Sequence, residues 1–356
     1  MGLSVHCIER LNKNIFTNSL NRDNRSTAIL MPGIEILRKI GIWGKISKYS
    51  APLKIMRLAD AGGKQGKIRY IADFSSKEVN QDQFGFNIPN YLLKKEMVNH
   101  LLGYKNFSID YGKNLSKVVS RNKEATTLFN DGTRISAKLI IGADGRDSFL
   151  RETNNIKKKK WSYNQKALAF VVTHELPHNY VSTEIHKNGG PFTLVPLPSE
   201  EVNKSAVVWM DKTEVINELT TMTEKEFSYE LNQRSLNVLG EINIEGNKSS
   251  WPIISQYAKK LYGDRLVLIA EAAHVFPPIG AQGLNTSFGD LRVLSSLVKQ
   301  CLEKNEDYGL EINLKKYNKE RWNEIYVKIL GIDALNRAAL FENKILKDLR
   351  LKSLKL

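Results

Sequence analysis

The stretch Glu271-Ala-Ala-His-Val-Phe-Pro-Pro-Ile-Gly-Ala-Gln-Gly-Leu-Asn285 is the most specific segment of this 356-residue chain. A strand-like run, 264–270, leads into it, and a long amphipathic helix follows, with an apolar face made of Leu291, Leu294, Leu297, Val298 and Cys301. Two prolines stiffen the loop, while Gly280 and Gly283 permit close backbone approach to a flat ligand. The helix aims its partly positive N-terminus at that ligand. A purely structural loop would rarely need this density of Pro, Gly and Asn, so the segment predicts a binding loop.

A second turn, Gly142-Ala-Asp-Gly-Arg-Asp-Ser148, follows the strand-like run Leu139-Ile-Ile141, which we predict to be buried. An α/β sheet places its ligand at the carboxyl ends of such strands. The glycines allow a tight turn, and Asp144 can fix loop amides or an arginine, with Arg151 one turn further on. The alternative is an ordinary strand-to-helix turn in which an aspartate caps the helix.

The acidic residue Glu9 ends the first predicted strand, a short buried one carrying Leu3, Val5 and Ile8. In a dinucleotide-binding βαβ unit, an acidic residue after the second strand binds the ribose hydroxyls, about 20 residues beyond a glycine-rich fingerprint. Counting back from Glu9 puts that fingerprint before Met1. We therefore expect the first strand and glycine-rich turn to be missing, through a misplaced start codon or a decaying gene. A solvated glutamate is the alternative interpretation of Glu9.

The remaining pattern predicts two interleaved units. In chain order it indicates a polar loop at 11–27, a helix from Pro32 carrying Ile34, Leu37, Ile40 and Ile46, strands in 52–89, a helix at 90–103, strands in 161–259 with a helical insert at 224–239, and a basic helical tail at 314–356. The fold class is α/β: a Rossmann-like dinucleotide-binding domain formed by 1–51, 90–158 and 260–356, with an inserted mixed β-sheet substrate domain formed by 52–89 and 159–259.

The charge balance is basic, since 53 Lys and Arg against 38 Asp and Glu give a net charge of +15. Such a surplus favours polyanions or an anionic membrane surface, and the alternative is lysines spread over solvated faces. Lys157–Lys160 is predicted as a solvated loop beside Trp161, with membrane-surface contact as the alternative. No nucleic-acid-binding motif is present, so we expect no nucleic-acid partner. No apolar run reaches the roughly 18 residues of a membrane span, and the N-terminus is no signal peptide.

Histidines and cysteines suggest little chemistry of their own. His174-Glu-Leu-Pro-His178 matches a zinc-protease pattern, but Pro177 breaks the helix that the pattern requires, so no metal site is predicted. His274 is interpreted as a structural histidine of the binding loop. The two cysteines, Cys7 and Cys301, fit small core residues and a reducing cytoplasm.

The two loops resemble the internal FAD motifs of the para-hydroxybenzoate hydroxylase-like monooxygenases. The nearest branch is that of the bacterial ubiquinone-biosynthesis hydroxylases, of the 2-octaprenyl-6-methoxyphenol hydroxylase kind. Arg25-Ser-Thr-Ala, Gly41-Ile-Trp and Phe84-Gly-Phe-Asn-Ile-Pro-Asn are similar to that branch as well. The resemblance covers nearly the whole chain.

The resemblance implies an FAD enzyme that uses NADH or NADPH and O2 to hydroxylate a prenylated phenol, in the cytoplasm and in peripheral contact with the inner membrane or a ubiquinone-biosynthesis complex. Glu9 would hold the adenosine ribose, and Arg25 would lie by the cofactor. Asp144 and Gly145 would lie near the pyrophosphate and the NAD(P)H approach. The residues bordering the isoalloxazine would be Pro278, Gly280, Gly283, Leu284 and Asn285.

One site residue departs from the family pattern. Glu271 stands where the family usually has Asp, at the ribityl or phosphate region. No protein residue is predicted as a catalytic acid or base, since the cofactor carries the chemistry. Two alternatives stay open: a catalytically inactive truncated remnant without bound FAD, and a basic polyanion-binding protein.

Overall fold

The computed structural model describes residues 2–21, 23, 25–62, 67–199 and 202–340. Its helices there are α1 (Lys13–Asn21), α2 (Met31–Lys39), α3 (Trp43–Ile46), α4 (Asn90–Leu102), α5 (Phe149–Thr153), α6 (Thr213–Thr221), α7 (Glu224–Ser235), α8 (Ala270–Ala273), α9 (Gln282–Glu303) and α10 (Glu311–Leu340). Its strands are β1 (Val5–Glu9), β2 (Ser26–Leu30), β3 (Ala51–Leu53), β4 (Ile55–Asp60), β5 (Tyr70–Ser75), β6 (Gly85–Pro89), β7 (Phe107–Tyr111), β8 (Leu115–Ser120), β9 (Ala125–Phe129), β10 (Arg134–Ala137), β11 (Ile140–Gly142), β12 (Lys158–His174), β13 (Val181–Lys187), β14 (Gly190–Leu197), β15 (Asn203–Lys212), β16 (Ile242–Ala258), β17 (Tyr262–Gly263), β18 (Leu266–Leu268) and β19 (His274–Val275).

The largest sheet has eight strands in the order β19-β16-β12-β15-β14-β13-β4-β5. It is mixed, because β13 pairs with β4 in parallel while the neighbouring pairs are antiparallel. Apolar side chains alternate along these strands, and those of one face form a core with helices α6 and α7. Phe170, Phe192, Trp209 and Phe227 are at most 3% exposed in that core.

A parallel arrangement surrounds the two predicted loops. β11 pairs with β18 in parallel, and β1 pairs with β7 in parallel. The strand β18 is buried along its whole length and packs with α9 and α10 in the largest apolar core. Because β11 and β18 run in the same direction, the loops after their carboxyl ends emerge at the same edge, as an α/β fold requires. The predicted α/β fold class is therefore confirmed.

Several predicted elements are also confirmed. Strands occupy the segment 52–89, helix α4 occupies 90–103, and α9 follows the binding loop. The tail is helical as far as Leu340, and its remaining part, 341–356, lies outside the described residues. None of the described helices is both long enough and apolar enough to cross a membrane.

The N-terminal predictions need correction. The predicted polar loop at 11–27 contains helix α1 and the start of strand β2. The helix predicted from Pro32 begins at Met31 and ends at Lys39, because Gly41 turns the chain with a φ of +77°. Ile46 therefore belongs to a separate short helix, α3. β1 is a strand as predicted, but it is exposed or half-buried rather than buried, since β7 is its one partner among the described strands.

Four further predictions were wrong. The sheet-rich segment carries two helices, α6 and α7, where one helical insert was predicted. Leu291 is 40% exposed and lies outside the buried face of α9. The strand before Gly142 is not fully buried, because Ile141 is 48% exposed. The predicted solvated loop around Lys158 is the beginning of β12, paired with β16.

Candidate functional site

Arg151 joins the two predicted loops. Its guanidinium is fully buried and donates from Nη1 to the carbonyl of Ala272 at 2.9 Å and from Nη2 to the carbonyl of Arg146 at 2.9 Å. Its backbone N–H is held by the side chain of Ser148, which caps helix α5. Burial lowers the pKa of Arg151, and two carbonyl dipoles compensate for the missing water. One buried side chain therefore brings the loop after β11 against the loop after β18.

A second link between the same loops lies at the surface. Arg146 donates from Nη2 to Oε1 of Glu271 at 3.1 Å and from Nε to Oε2 at 3.3 Å. The side chain of Glu271 is 51% exposed, so the pair faces solvent and contributes little to stability. Its effect is to direct the Glu271 carboxylate. The sequence places Arg146 in the turn Gly142–Ser148 but predicts no role for it.

The helix α9 begins without a side-chain cap. Its N-cap residue, Ala281, has a φ of +56° and offers no acceptor to the first N–H groups of the helix. Gly280, at a φ of +60°, and Gly283 are both exposed. A Cβ at Gly283 would meet no atom within 4 Å. The loop therefore presents unpaired helix amides beside open space, which suits an electron-rich planar group.

Asn285 anchors this helix N-terminus to strand β2. Its Oδ1 accepts the N–H of Leu30 at 2.9 Å, and its Nδ2 donates to the carbonyl of Ala28 at 2.9 Å and to that of Ala281 at 2.7 Å. Both amide hydrogens are used, so Asn285 shapes the loop. Its predicted place beside the isoalloxazine stays a prediction, as do those of half-buried Pro278 and exposed Leu284.

A buried ion pair lies beneath the loop. Asp290 accepts from Nε of Arg321 at 2.9 Å, and both side chains are 0% exposed. Asp290 also accepts from Nε2 of His274 at 2.7 Å and from the N–H of Ala270 at 3.0 Å. Burial alone would raise the pKa of Asp290, but the hydrogen bond from His274 and the charges of His274 and Arg321 lower it. His274 is thus held by a carboxylate and serves the structure, in agreement with its interpretation.

The residues predicted to contact the adenosine and pyrophosphate parts of FAD are Glu9, Asp144 and Gly145. They lie far along the chain from the loop 271–285. Glu9 ends β1, and its Oε1 accepts the N–H of Leu11 at 2.8 Å. Asp144 accepts the N–H of Leu150 at 3.0 Å, which is the helix-capping role that the sequence left open as an alternative. Gly145 has a φ of +83° and open space around its Cβ position. A ligand can approach the backbone there.

Arg25 sits in a cluster of charges at the start of β2. It donates to Asp23 through Nε at 2.8 Å and Nη2 at 2.9 Å, and Lys94 donates to the same carboxylate at 2.6 Å. Its guanidinium lies 5.8 Å from the ring centroid of Trp251. Its hydrogen bond to Asp23 raises the pKa of Arg25, and the negative charge of Glu271 raises that pKa further. Asp23 and Trp251 thereby fix the position of the Arg25 guanidinium.

Acid should weaken this cluster. Burial alone would raise the pKa of Asp23, but hydrogen bonds from Arg25 and Lys94 lower it from 3.8 to about 2. A depressed folded-state pKa means that the stabilisation is complete above about pH 4 and is lost as the pH falls toward about 2. The shift corresponds to roughly 2 kcal/mol. Urea unfolding of the wild type and Asp23→Asn should differ by that amount near neutral pH and converge near pH 2. A difference that persists in acid would contradict the assignment.

The zinc-protease pattern does not lie on a helix. His174 lies on β12, with its Nδ1 near the carbonyl of Leu176 and its Nε2 near the hydroxyl of Ser205. His178 is placed by the carbonyl of Leu197. In the part of the chain that the structure describes, no group of His, Cys, Asp or Glu side chains is arranged to hold a metal ion.

The described residues fit the isoalloxazine end of FAD. The uncapped N-terminus of α9 offers donors to the electron-rich edge of the ring, and Gly280 and Gly283 leave room for its approach. Arg151 holds the loop after β11 against this loop. Glu9 has one carboxylate oxygen without a hydrogen-bond partner among the described residues, which suits a ribose hydroxyl.

The chain matches the family described as FAD binding domain over residues 1–324. It is 27% identical over 323 residues to ubiquinone hydroxylase UbiL of Rhodospirillum rubrum, covering 91% of this chain and 73% of that protein. It is 22% identical over 333 residues to the 3-demethoxyubiquinol 3-hydroxylase of Escherichia coli, covering 93% and 83%.

Solved structures are similar in fold. PqsL, a probable FAD-dependent monooxygenase from Pseudomonas aeruginosa, superposes with a TM-score of 0.78 at 17% identity, covering 95% of this chain and 90% of that one. HpxO of Klebsiella pneumoniae, solved with FAD and uric acid, superposes with a TM-score of 0.75 at 14% identity, covering 99% and 92%. Identities this low show a shared architecture.

Proposed function

This chain belongs to the FAD binding domain family, and on that premise we propose that it is a flavin-dependent monooxygenase that hydroxylates a prenylated phenol of ubiquinone biosynthesis. Its co-substrates are NADH or NADPH and O2. The dinucleotide-binding domain comprises 1–51, 90–158 and 260–356, and the substrate domain comprises 52–89 and 159–259. The enzyme works in peripheral contact with an anionic membrane, where a prenylated substrate resides.

The observation that carries the proposal is the uncapped N-terminus of α9, which opens onto exposed Gly280 and Gly283. When bound, FAD would supply the redox chemistry, by which NAD(P)H reduces O2 so that one oxygen atom enters the phenol ring and the other leaves as water. The amides at the start of α9 stabilise negative charge on the reduced ring without reorganising, because the helix is already in place.

The surrounding residues bind and orient. Glu9 holds the adenosine ribose, and Gly145 lets the pyrophosphate approach the backbone. Asn285 holds the start of α9 in position, and the ion pair of Arg146 with Glu271 directs a carboxylate toward the ribityl region. Pro278 and Leu284 would border the isoalloxazine and limit the access of water to it.

The first test is the visible spectrum of the purified 356-residue chain, before and after addition of FAD. We expect flavin absorbance bands that are shifted from those of free FAD. The loaded protein, supplied with NADPH and O2, should then yield a product of the prenylated phenol heavier by one oxygen atom. Absorbance that separates from the protein on gel filtration would contradict the proposal.

The two alternatives predict other results. An inactive remnant would stay colourless after incubation with FAD and would consume no NADPH. A basic polyanion-binding protein would bind nucleic acid with steep salt dependence in the absence of any flavin. The family match and the hydroxylase relatives favour the enzyme over both.

A further inference from the structure

An exposed surface at the beginning of β12, the end of β16 and on helix α10 combines lysines with aromatic rings. We define the basic–aromatic surface by Lys157, Lys159, Lys259 and Lys319 together with Trp161 and Trp322. All four lysines are exposed and both tryptophans are half-buried. None of the six has a place in the proposed flavin chemistry.

The pairing of two long strands creates the cationic part. β12 and β16 are antiparallel, with Lys159 opposite Tyr257, and the N–H of Lys259 donates to the carbonyl of Lys157 at 2.8 Å. Lys157 and Lys259 therefore stand directly opposite each other at the strand ends. Like charges in that relation are destabilising, so this arrangement works against the fold.

These charges lack local neutralisation. Neighbouring Lys158 pairs with Glu152 at 3.0 Å, but none of the four lysines of the surface has a carboxylate within ion-pair distance in the described ranges. Lys159 instead lies 5.7 Å from the ring centroid of Trp161. The positive charge of the surface is thus available to a partner.

Helix α10 supplies the aromatic and apolar part. Trp322 donates from Nε1 to the carbonyl of Ala258 at 3.2 Å, and its ring stacks on Tyr326 at 5.0 Å and 11°. Lys319 lies one turn before Trp322 on the same helix. Beyond Tyr326, the side chains of Val327 and Leu330 are 67% and 47% exposed. Lysines, amphipathic rings and exposed aliphatic side chains therefore occur together.

We propose that the basic–aromatic surface docks the protein on the headgroup region of an anionic lipid bilayer. Lysines attract the anionic headgroups, and tryptophan and tyrosine rings prefer the boundary between water and acyl chains. Val327 and Leu330 provide apolar side chains that can enter that boundary. A nucleic acid would use the charges and the rings but would leave those aliphatic side chains in water.

This inference rests on the proposed function in one respect, namely that a prenyl chain partitions into lipid and must be reached there. The docking itself requires neither FAD nor turnover. Binding to vesicles can therefore be measured on the full chain without cofactor or phenol, and failure of the hydroxylase assay would leave it standing.

The experiment is flotation with vesicles of pure phosphatidylcholine or of phosphatidylcholine with one third phosphatidylglycerol, at low and high salt. We expect binding to the anionic vesicles alone, weakened by salt. The variant Lys159→Glu/Lys259→Glu/Lys319→Glu should lower the partition constant at least about 100-fold, since each lysine near the surface contributes roughly fivefold. Val327→Ser/Leu330→Ser should lower it less, by about tenfold, because two aliphatic side chains would no longer be partly buried at the acyl boundary.

The matched control is Lys95→Glu/Lys105→Glu/Lys123→Glu, which changes the net charge equally at three exposed lysines outside the surface. It should lower the partition constant by less than about threefold, and none of the variants should melt below the wild type. The variant that contains Lys259→Glu replaces a like-charge pair with an opposite-charge pair, so it should melt at or above the wild-type temperature. Equal losses in the two triple variants would overturn the proposal, because net charge alone would then explain binding. Binding to duplex DNA but not to anionic vesicles would also overturn it.

Discussion

Replacing Asp290 with leucine should lower the free energy of unfolding by about 3 kcal/mol, at the lower end of the range for a broken buried ion pair. The fully buried Arg321 would keep only half-buried Glu324 and the carbonyl of Thr286 as partners. The loss should also reach the binding loop. The N–H of Ala270 and the ring of His274 both use the Asp290 carboxylate, so the turn carrying Glu271 would lose its anchor. Urea denaturation monitored by tryptophan fluorescence measures the first effect.

The control for this prediction is the double variant Asp290→Leu/Arg321→Met. Because it removes both charges and keeps similar volume, we expect it to recover most of the lost stability. It should not recover the anchoring of Ala270, so FAD binding should stay weaker than in the wild type. A single variant within about 1 kcal/mol of the wild type would show that the carboxylate is dispensable to the buried network.

A carboxylate placed at Ala281 should make the midpoint potential of bound FAD more negative. Ala281 is the N-cap of α9 and has a φ of +56°, a conformation that Asp and Asn tolerate better than most residues. The variants Ala281→Asp and Ala281→Asn therefore differ mainly in charge. One negative charge near a ring that becomes negative on reduction should lower the potential by roughly 30–60 mV, or about 1.4–3 kcal/mol for two electrons.

Spectroelectrochemical titration of the two loaded variants measures this difference. The free energy of binding to oxidised FAD should change less than that of binding to reduced FAD, because the oxidised ring carries no net charge. High salt should not abolish the difference if the loop excludes water, since buried charges are weakly screened. Equal potentials in the aspartate and asparagine variants would mean that the start of α9 does not face the flavin ring.

Local patterns predicted much of the fold. Helix α4 and strand β18 were identified from apolar periodicity and turn residues, which depend on neighbours a few positions away. The failures were local as well. Helix α1 lies in an Asn-rich segment whose composition predicts a loop. Its residues form a helix because Phe16 and its neighbours pack against other elements. The ring centroids of Phe16 and Tyr111, for example, are 5.3 Å apart.

The contacts of the site could not be predicted in the same way. Arg151 meets the carbonyl of Ala272, 121 residues further on, and Arg321 meets Asp290, 31 residues before it. Such pairs form only when particular strands and helices become neighbours, and no short-range pattern encodes that choice. The basic–aromatic surface has the same origin, because the register between β12 and β16 sets Lys157 opposite Lys259.

By itself, then, the sequence determined the α/β class and the positions of the two loops that we propose to hold the flavin, because glycine, proline and apolar periodicity act over a few residues. Tertiary structure alone decided that Arg151 joins those loops and that Asp290 is buried against Arg321. It also decided that separated lysines share one face. Those outcomes depend on which distant segments pack together, and that is settled by the energy of the whole core.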